Sequence, residues 1–119
     1  MTLEKDIKQS KFRSEKHKVF INLLYTYHHV VTKSNELFKD HEITRQQYNV
    51  LRILRGQVPN SASVNLIKER MLDKMSDASR IVERLVKKGF VNRTTTKSDK
   101  RLVDVVISDN GLELLNSID

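Results

Sequence analysis

The stretch MSDASRIVERLVKKGFVNR, residues 75–93, has the pattern of an amphipathic helix that leads directly into a strand. Its apolar residues recur at helical spacing: Ala78, Ile81, Val82 and Leu85. Two lysines followed by Gly89 are typical of a helix end, where cations meet the negative end of the dipole and glycine adopts a left-handed conformation. The pattern predicts a helix from about Met75 to Lys88, with a strand after it.

The next stretch, RTTTKSDKRL (residues 93–102), is polar and basic but has strand-like sequence on both sides. In the downstream strand, residues Val103, Val105 and Ile107 alternate with Leu102, Asp104 and Val106. Two runs of β-branched residues around a short polar loop predict a hairpin over about 90–107. Because the loop has neither Gly nor Pro, we expect an extended tip that contacts a partner.

Two further helices are predicted upstream of the opening stretch. Thr44 and Gln47 fit a capping box, and Gly56 is placed to end that helix in the left-handed conformation, which gives a helix of about 44–55. The polar connection QVPNSAS follows, and Ser61 or Ser63 can cap a short third helix. Its predicted inward residues are Val64, Ile67 and Met71.

Helices also border this central part of the sequence. Apolar residues from about 12 to 40 follow one stripe of a long helix, part of which we expect to need a partner outside its own core. At the other end, Asn110 and Glu113 suit a capped helix start whose apolar pattern is cut short. We favour the interpretation that the chain is a fragment, because this apolar pattern starts without an ending.

The order of elements predicts a mainly α protein with a small β-hairpin, an α+β fold. Two short helices in tandem form a helix-turn-helix, and a hairpin directly after them makes it winged. With 119 residues, the chain fits one domain of ordinary size. It contains no Cys, and no apolar run approaches the ~18 residues of a membrane span, so we expect neither a signal peptide nor a membrane helix and favour the cytoplasm.

The positive charge of the chain is concentrated in one region. Residues 68–101 hold eleven Lys and Arg against five Asp and Glu, which accounts for +6 of the net charge of +7. A basic surface confined to part of a domain is typical of nucleic-acid binding, although solvation of a helix surface is an equal alternative on charge alone.

The face of the predicted helix opposite its apolar side carries the residues Ser76, Asp77, Ser79, Arg80, Arg84 and Lys87. Arg can bond bidentately to guanine or clamp phosphate, and Ser can bond phosphate or base. For Arg80 and Arg84 the alternative is an exposed helix surface that pairs with neighbours such as Glu83.

The run from Ile43 to Leu115, about 60% of the chain, resembles the MarR family of winged helix-turn-helix transcription regulators. The resemblance rests on ITRQQYNVLRIL, on MSDASRIVERLVKKGFVNR and above all on SDKRLVDVVISDNGLELL. The last segment is similar to the family's wing signature, in which Asp-x-Arg precedes alternating aliphatics, a Ser or Thr, and then Gly before a Leu pair. These places are occupied by Asp99, Arg101, Val103, Val105, Ile107, Ser108, Gly111, Leu114 and Leu115.

The resemblance implies DNA-binding roles for individual residues. Ser76, Ser79, Arg80 and Arg84 become candidates for base and phosphate contacts from a recognition helix (75–88) in the major groove. Arg101 is placed in the minor groove, and Asp99 is expected to orient a neighbouring Arg. Near the wing tip, the candidates for phosphate contacts are Lys97, Ser98 and Lys100.

The resemblance also implies a homodimer that pairs through its first and last helices. Because the last helix is cut to about ten residues, three interpretations stay open: the chain is a fragment, which we favour, the first helix carries dimerisation, or the protein pairs differently. It divides the chain into a dimerisation region (1–42), a winged helix-turn-helix (43–108) and the start of a C-terminal dimerisation helix (109–119). The predicted function is a ligand-responsive repressor that binds a palindromic operator in double-stranded DNA. The alternative is a winged-helix protein-interaction module, or an antagonist of another regulator, that does not bind DNA itself.

Other kinds of site are weakly supported. Tyr27, Tyr48 and Met75 can line an effector pocket, but core packing is the favoured interpretation of these side chains. We expect no metal site, since adjacent His28 and His29 diverge by about 100° on a helix. The sequence predicts no cofactor and no enzyme, because it has no Cys nucleophile and no glycine-rich phosphate loop.

Overall fold

The computed structural model describes residues 2–9, 11–95 and 103–119. Its elements, in chain order, are α1 (Leu3–Asp6), α2 (Glu15–Asp40), α3 (Arg45–Gln57), β1 (Ala62–Ser63), α4 (Val64–Arg70), α5 (Ala78–Lys87), β2 (Val91–Thr95), β3 (Val103–Ile107) and α6 (Asp109–Ile118). The chain divides into two compact units, Met1–Leu37 and Phe38–Asp119. The predicted class, mainly helical with a small β-hairpin, is confirmed.

Side-chain contacts hold the short α1 and the start of α2 together in the N-terminal unit. Ser14 caps α2, since its Oγ accepts a hydrogen bond from the backbone N–H of His17 at 3.1 Å. Lys18, one turn into α2, forms an ion pair with Glu4 and lies 5.8 Å from the centroid of the Phe12 ring. The cap at Ser14 explains why α2 begins slightly later than the apolar pattern alone predicts.

The apolar stripe of α2 is largely exposed within the N-terminal unit. Phe20, Leu23 and Tyr27 keep 58%, 65% and 55% of their surface accessible. Core packing, the favoured interpretation for Tyr27, is therefore wrong in this chain. A contiguous apolar surface of this kind is typical of a protein-interaction site.

The predicted start of α3 is confirmed, and its predicted end is wrong. The Thr44 side chain accepts from the Gln47 N–H at 3.0 Å, and the Gln47 side chain accepts from the Thr44 N–H at 3.1 Å, which completes the capping box. Gly56 does not end the helix, because α3 continues to Gln57 and the N–H of Val58 closes the last turn. The helix stops before Pro59, which has no N–H to continue it.

The sheet is antiparallel, with strand order β1-β3-β2. Val91 pairs with Ile107 and Arg93 with Val105, which confirms the predicted hairpin. The other edge of β3 pairs with Ala62 and Ser63, in a segment that was predicted to be only a polar connection. This additional strand, β1, has just two residues, so it shows no alternating pattern in the sequence.

A serine at the end of β3 joins the hairpin to the last helix. Ser108 accepts from the N–H of Gly111 at 3.1 Å and donates to the carbonyl of Gly89 at 2.7 Å. It therefore caps α6, and the predicted cap at Asn110 is wrong. Gly89 has a φ of 81°, so the predicted left-handed glycine after α5 is confirmed.

One hydrophobic core lies in the C-terminal unit and contains residues from all its helices and strands. Its largest fully buried side chains are Leu51, Leu54, Ile67, Met71, Leu85, Leu115, Val50, Val82, Val91 and Val105. Phe38, from the last turn of α2, stacks on Tyr48 of α3 with ring centroids 4.6 Å apart. At the far end, Asp119 accepts hydrogen bonds from Arg55 and Tyr48, and these bonds lower the pKa of its carboxyl group.

Two glycine substitutions should change stability in opposite directions. A Cβ at Gly111 would collide with the carbonyl oxygen of Phe90 and lie 2.7 Å from Ile107 Cγ1, so Gly111→Ala should lower the free energy of unfolding by ~1–3 kcal/mol. Gly56 has open space and a helical backbone, so Gly56→Ala should raise it by ~0.5–1 kcal/mol. Urea unfolding measures the free energy of unfolding of both variants. Equal changes for Gly111→Ala and Gly56→Ala would contradict the packing around α6.

Candidate nucleic-acid interface

The rotation of α5 about its axis is fixed by the residues that it buries. Ala78, Val82 and Leu85 are at most 3% exposed and belong to the core of the C-terminal unit. Ile81, which was also predicted to face inward, is half-buried at the edge of that core. Successive residues of a helix are about 100° apart, so the opposite side of α5 must face outward.

The outward side of α5 carries most of the candidate residues. Ser79, Arg80, Arg84 and Lys87 are all exposed. Neither Arg80 nor Arg84 forms an ion pair within the described ranges, so the alternative in which they pair with neighbours such as Glu83 has no support in the geometry. Two unpaired guanidinium groups one helical turn apart can bind an anion such as a phosphate.

The helix is shorter at its start than the sequence pattern predicted. It begins at Ala78, with Asp77 as its cap, because the Asp77 carboxylate accepts from the N–H of Arg80 at 3.2 Å. Met75 and Ser76 therefore lie in the turn between α4 and α5, and their predicted place on the helix is wrong. The Asp73 side chain accepts from the Met75 N–H at 3.0 Å and so holds this turn.

A shallow cavity of about 250 Å³ lies between the starts of α3 and α5. It is lined by Thr44, Gln46, Gln47, Ser76, Asp77, Arg80, Ile81 and Arg84. The structure therefore brings three predicted residues, Ser76, Arg80 and Arg84, around one shallow depression. The sequence pattern on α5 did not reveal that α3 contributes Gln46 and Thr44 to the same place.

Lys88, at the end of α5, was predicted only as a helix-terminating cation but also connects α5 to α3. Its Nζ donates to the side-chain oxygen of Gln47 at 3.2 Å and to the backbone carbonyl of Glu42. Gln47 is only 4% exposed, and its oxygen also accepts the capping bond from Thr44. No local signal in the sequence indicated this contact, because Lys88 and Gln47 are far apart in the chain.

Much of the predicted wing tip lies outside the described residues. This applies to Lys97, Ser98, Asp99, Lys100 and Arg101, whose roles stay predictions. The strands that carry the tip are described: Arg93 of β2 is exposed, and Val105 of β3 is fully buried. The wing is therefore anchored in the core through one face of its hairpin.

The three predicted effector-pocket residues have different surroundings. Tyr48 stacks on Phe38 and donates to Asp119 at 3.1 Å, whereas Met75 is 93% exposed, so core packing is wrong for Met75. Tyr27 belongs to the N-terminal unit. An effector pocket that involves these residues stays a prediction.

Among residues 2–9, 11–95 and 103–119, no group of three or more His, Asp or Glu side chains is placed to hold a metal ion. No helix in these ranges combines the length and apolar character that a membrane crossing needs.

Known proteins that are similar to this chain include members of the MarR family. The model of the MarR family matches residues 43–103. A MarR transcription factor from Planctomyces limnophilus is 31% identical with a TM-score of 0.78, over 92% of this chain and 78% of that chain. The comparison with curated proteins found no match.

Two other solved structures share the fold. A mutant MarR from E. coli complexed with operator DNA is 26% identical with a TM-score of 0.60, over 80% of this chain and 70% of that chain. BpsR of Bordetella bronchiseptica, whose DNA binding is regulated by 6-hydroxynicotinic acid, is 22% identical with a TM-score of 0.70, over 85% and 75% of the two chains. These likenesses confirm the predicted winged-helix fold.

The cap of α5 can be tested by separating its hydrogen bond from its charge. Asp77→Ala should lower the free energy of unfolding by ~1 kcal/mol, because the first turn of α5 loses its side-chain acceptor. Asp77→Asn keeps an acceptor and should change stability by a few tenths of a kcal/mol. Urea unfolding gives both values, with Ser79→Ala as the control on the exposed face; equal losses for Ala and Asn would contradict the cap.

Proposed function

The chain belongs to the MarR family of DNA-binding winged-helix transcription regulators, and from this premise we propose that it is a ligand-responsive repressor that binds a palindromic operator as a homodimer. The protein acts on double-stranded DNA in the cytoplasm and catalyses no reaction. The observation that carries the proposal is the outward face of α5, where Arg80 and Arg84 are exposed beside a shallow cavity and form no ion pair within the described part of the chain.

In this proposal α5 enters the major groove as the recognition helix. Its exposed residues Ser79, Arg80 and Arg84 contact base edges and phosphates, and Ser76 contacts the DNA from the turn before it. An Arg guanidinium matches the paired acceptors of guanine in this groove and also binds phosphate. Gln46 and Thr44, across the cavity, are suited to contact the same phosphate backbone.

The wing supplies the second set of contacts. Arg101 reaches the minor groove, where its positive charge suits the negative potential of a narrow groove. Asp99 orients a neighbouring Arg, and Lys97, Ser98 and Lys100 contact phosphates. The resemblance of SDKRLVDVVIS to the family's wing signature supports these roles.

The exposed stripe of α2 supports the homodimer. Leu23 and Val30 are 65% and 54% exposed, and a second copy of the chain can cover such residues. A two-fold dimer presents two copies of α5, and two half-sites one helical turn of DNA apart match that symmetry.

A small molecule is the proposed signal that releases the DNA. In BpsR, a protein of the same fold, DNA binding is regulated by 6-hydroxynicotinic acid. For this chain we propose a small-molecule effector, with Tyr27, Tyr48 and Met75 as the pocket residues predicted from the sequence. If the proposal is right, addition of the effector abolishes binding of the chain to its operator.

Salt dependence tests DNA binding and separates it from the alternative, a protein-interaction module. With an operator selected from a random duplex pool, log affinity should fall against log salt by ~0.9 for each phosphate contacted. A protein-interaction module would bind no duplex even at low salt while remaining a folded dimer. That result would contradict the proposal that this chain binds DNA.

Substitutions of the α5 arginines test the recognition helix. Arg84→Ala should either reduce the salt slope by about 1, if it contacts phosphate, or lower affinity by ~1–3 kcal/mol at one base position, if it reads a base. Arg80→Ala should behave in one of the same two ways. The control is Arg52→Ala, an exposed arginine of α3 that does not line the cavity. Unchanged binding by both α5 variants would show that the residue roles are wrong.

A further pair of variants tests the wing. Arg101→Ala should weaken operator binding because the minor-groove contact is lost. Arg101→Lys keeps the charge without the planar guanidinium, so it should restore only part of the affinity. Electrophoretic mobility shifts with the selected duplex measure both, and full restoration by Lys would reduce the role of Arg101 to charge alone.

A further inference from the structure

Two large apolar side chains project from the turn between α4 and α5 with almost no contact to the protein. Met75 is 93% exposed and Leu72 is 89% exposed, the two highest values among the large exposed hydrophobic residues of the described chain. Single exposed apolar residues are common on protein surfaces. Two of them in one turn beside a basic helix are unusual, because the fold gains little burial from either.

The backbone of this turn is ordered although its apolar side chains are exposed. The N–H of Leu72 donates to the side-chain oxygen of Asn49 at 2.9 Å, and the N–H of Met75 donates to the Asp73 carboxylate at 3.0 Å. The N–H of Ser76 donates to the Asp73 carbonyl at 3.2 Å. The turn therefore holds Met75 in a defined place, two residues before the cap of α5.

The position of Met75 relates it directly to the proposed DNA surface. Ser76 and Asp77, the next residues, line the cavity with Arg80 and Arg84. In helix-turn-helix proteins the N-terminal residues of the recognition helix contact base edges. When α5 enters the groove, Met75 is among the first side chains to approach the bases, and none of the proposed polar contacts uses it.

The chemistry of the major groove limits what Met75 can contact there. The base edges offer hydrogen-bond donors and acceptors, and the C5-methyl group of thymine is their apolar feature. A methionine thioether cannot donate a hydrogen bond, but it is flexible and polarizable and packs well against a methyl group. Thymine is therefore the base that this side chain can distinguish.

We propose that Met75 is a specificity-determining residue that reads a thymine by packing against its C5-methyl group in the major groove. This inference rests on the proposed function, since it requires α5 to bind duplex DNA. It gives the exposed Met75 a role in DNA recognition, in place of the effector-pocket role that was predicted for this residue from the sequence. It also predicts at least one thymine in each half-site whose methyl group contributes to affinity.

Replacement of thymine by deoxyuridine tests the contact, because deoxyuridine pairs with adenine in the same way and lacks only the methyl group. In the selected operator, each thymine of one half-site is replaced in turn, and affinity is measured for the wild-type chain and for Met75→Ala. For the wild type, one replacement should weaken binding about fourfold, equivalent to the ~0.8 kcal/mol of one buried methyl group. For Met75→Ala, the same replacement should have no effect, which gives a double-mutant cycle between side chain and methyl group.

Leu72→Ala provides the matched control, because it removes a similarly exposed apolar side chain from the same turn. It should leave the fourfold difference between thymine and deoxyuridine unchanged. Thermal unfolding of both variants should match the wild type, since neither side chain is packed in the core.

The remaining outcomes separate the inference from the function on which it rests. If the wild type binds the operator in a salt-dependent way but discriminates no thymine from deoxyuridine, the inference is overturned and the proposed function stands. The same holds if Met75→Ala keeps the full discrimination at every position, or if Leu72→Ala abolishes it. Absence of duplex binding by the wild type at low salt would overturn both.

Discussion

The burial of one side of α5 is the constraint on which the functional surface depends. Ala78, Val82 and Leu85 lie in the core, and each is too apolar to face water without loss of stability. A rotation of the helix that exposed them would also carry charged side chains into the core, where an unpaired charge is costly. The packing of three small and medium apolar residues therefore holds Arg80 and Arg84 outward.

Both ends of α5 are fixed by hydrogen bonds, the start by its own cap and the end by contacts with α3 and the hairpin. Asp77 satisfies a free N–H at the start of the helix, and Gly89 turns the chain away after its end. Lys88 bonds Gln47 of α3, and Ser108 of the hairpin bonds the Gly89 carbonyl. The helix and the wing strands are thus ordered within one unit before any ligand binds, which reduces the entropic cost of binding.

Features with a local physical cause could be predicted from the sequence. The capping box of α3, the buried side of α5 and the β2-β3 hairpin depend on residues close together in the chain. Features that depend on distant partners could not. The pairing of Ala62 with Val105 and the Lys88 contact with Gln47 leave no periodic pattern in the sequence.

The errors at element ends have similar physical reasons. Gly56 was expected to end α3, but glycine is tolerated inside a helix and the following Pro59 sets the limit. Asn110 was expected to cap α6, but Ser108 has the cap geometry and also reaches Gly89. For the candidate site, residue types on α5 were predictable, whereas the contribution of Gln46 across the cavity required the fold.

We propose the outward face of α5 as the surface that contacts DNA. Backbone amide chemical shifts, followed by NMR as a selected operator duplex is added to the full chain, test it most directly. We expect the largest changes from Ser76 to Arg84 and at Gln46, with small changes around Arg55 at the other end of α3. Large changes around Arg55 with α5 unaffected would contradict it.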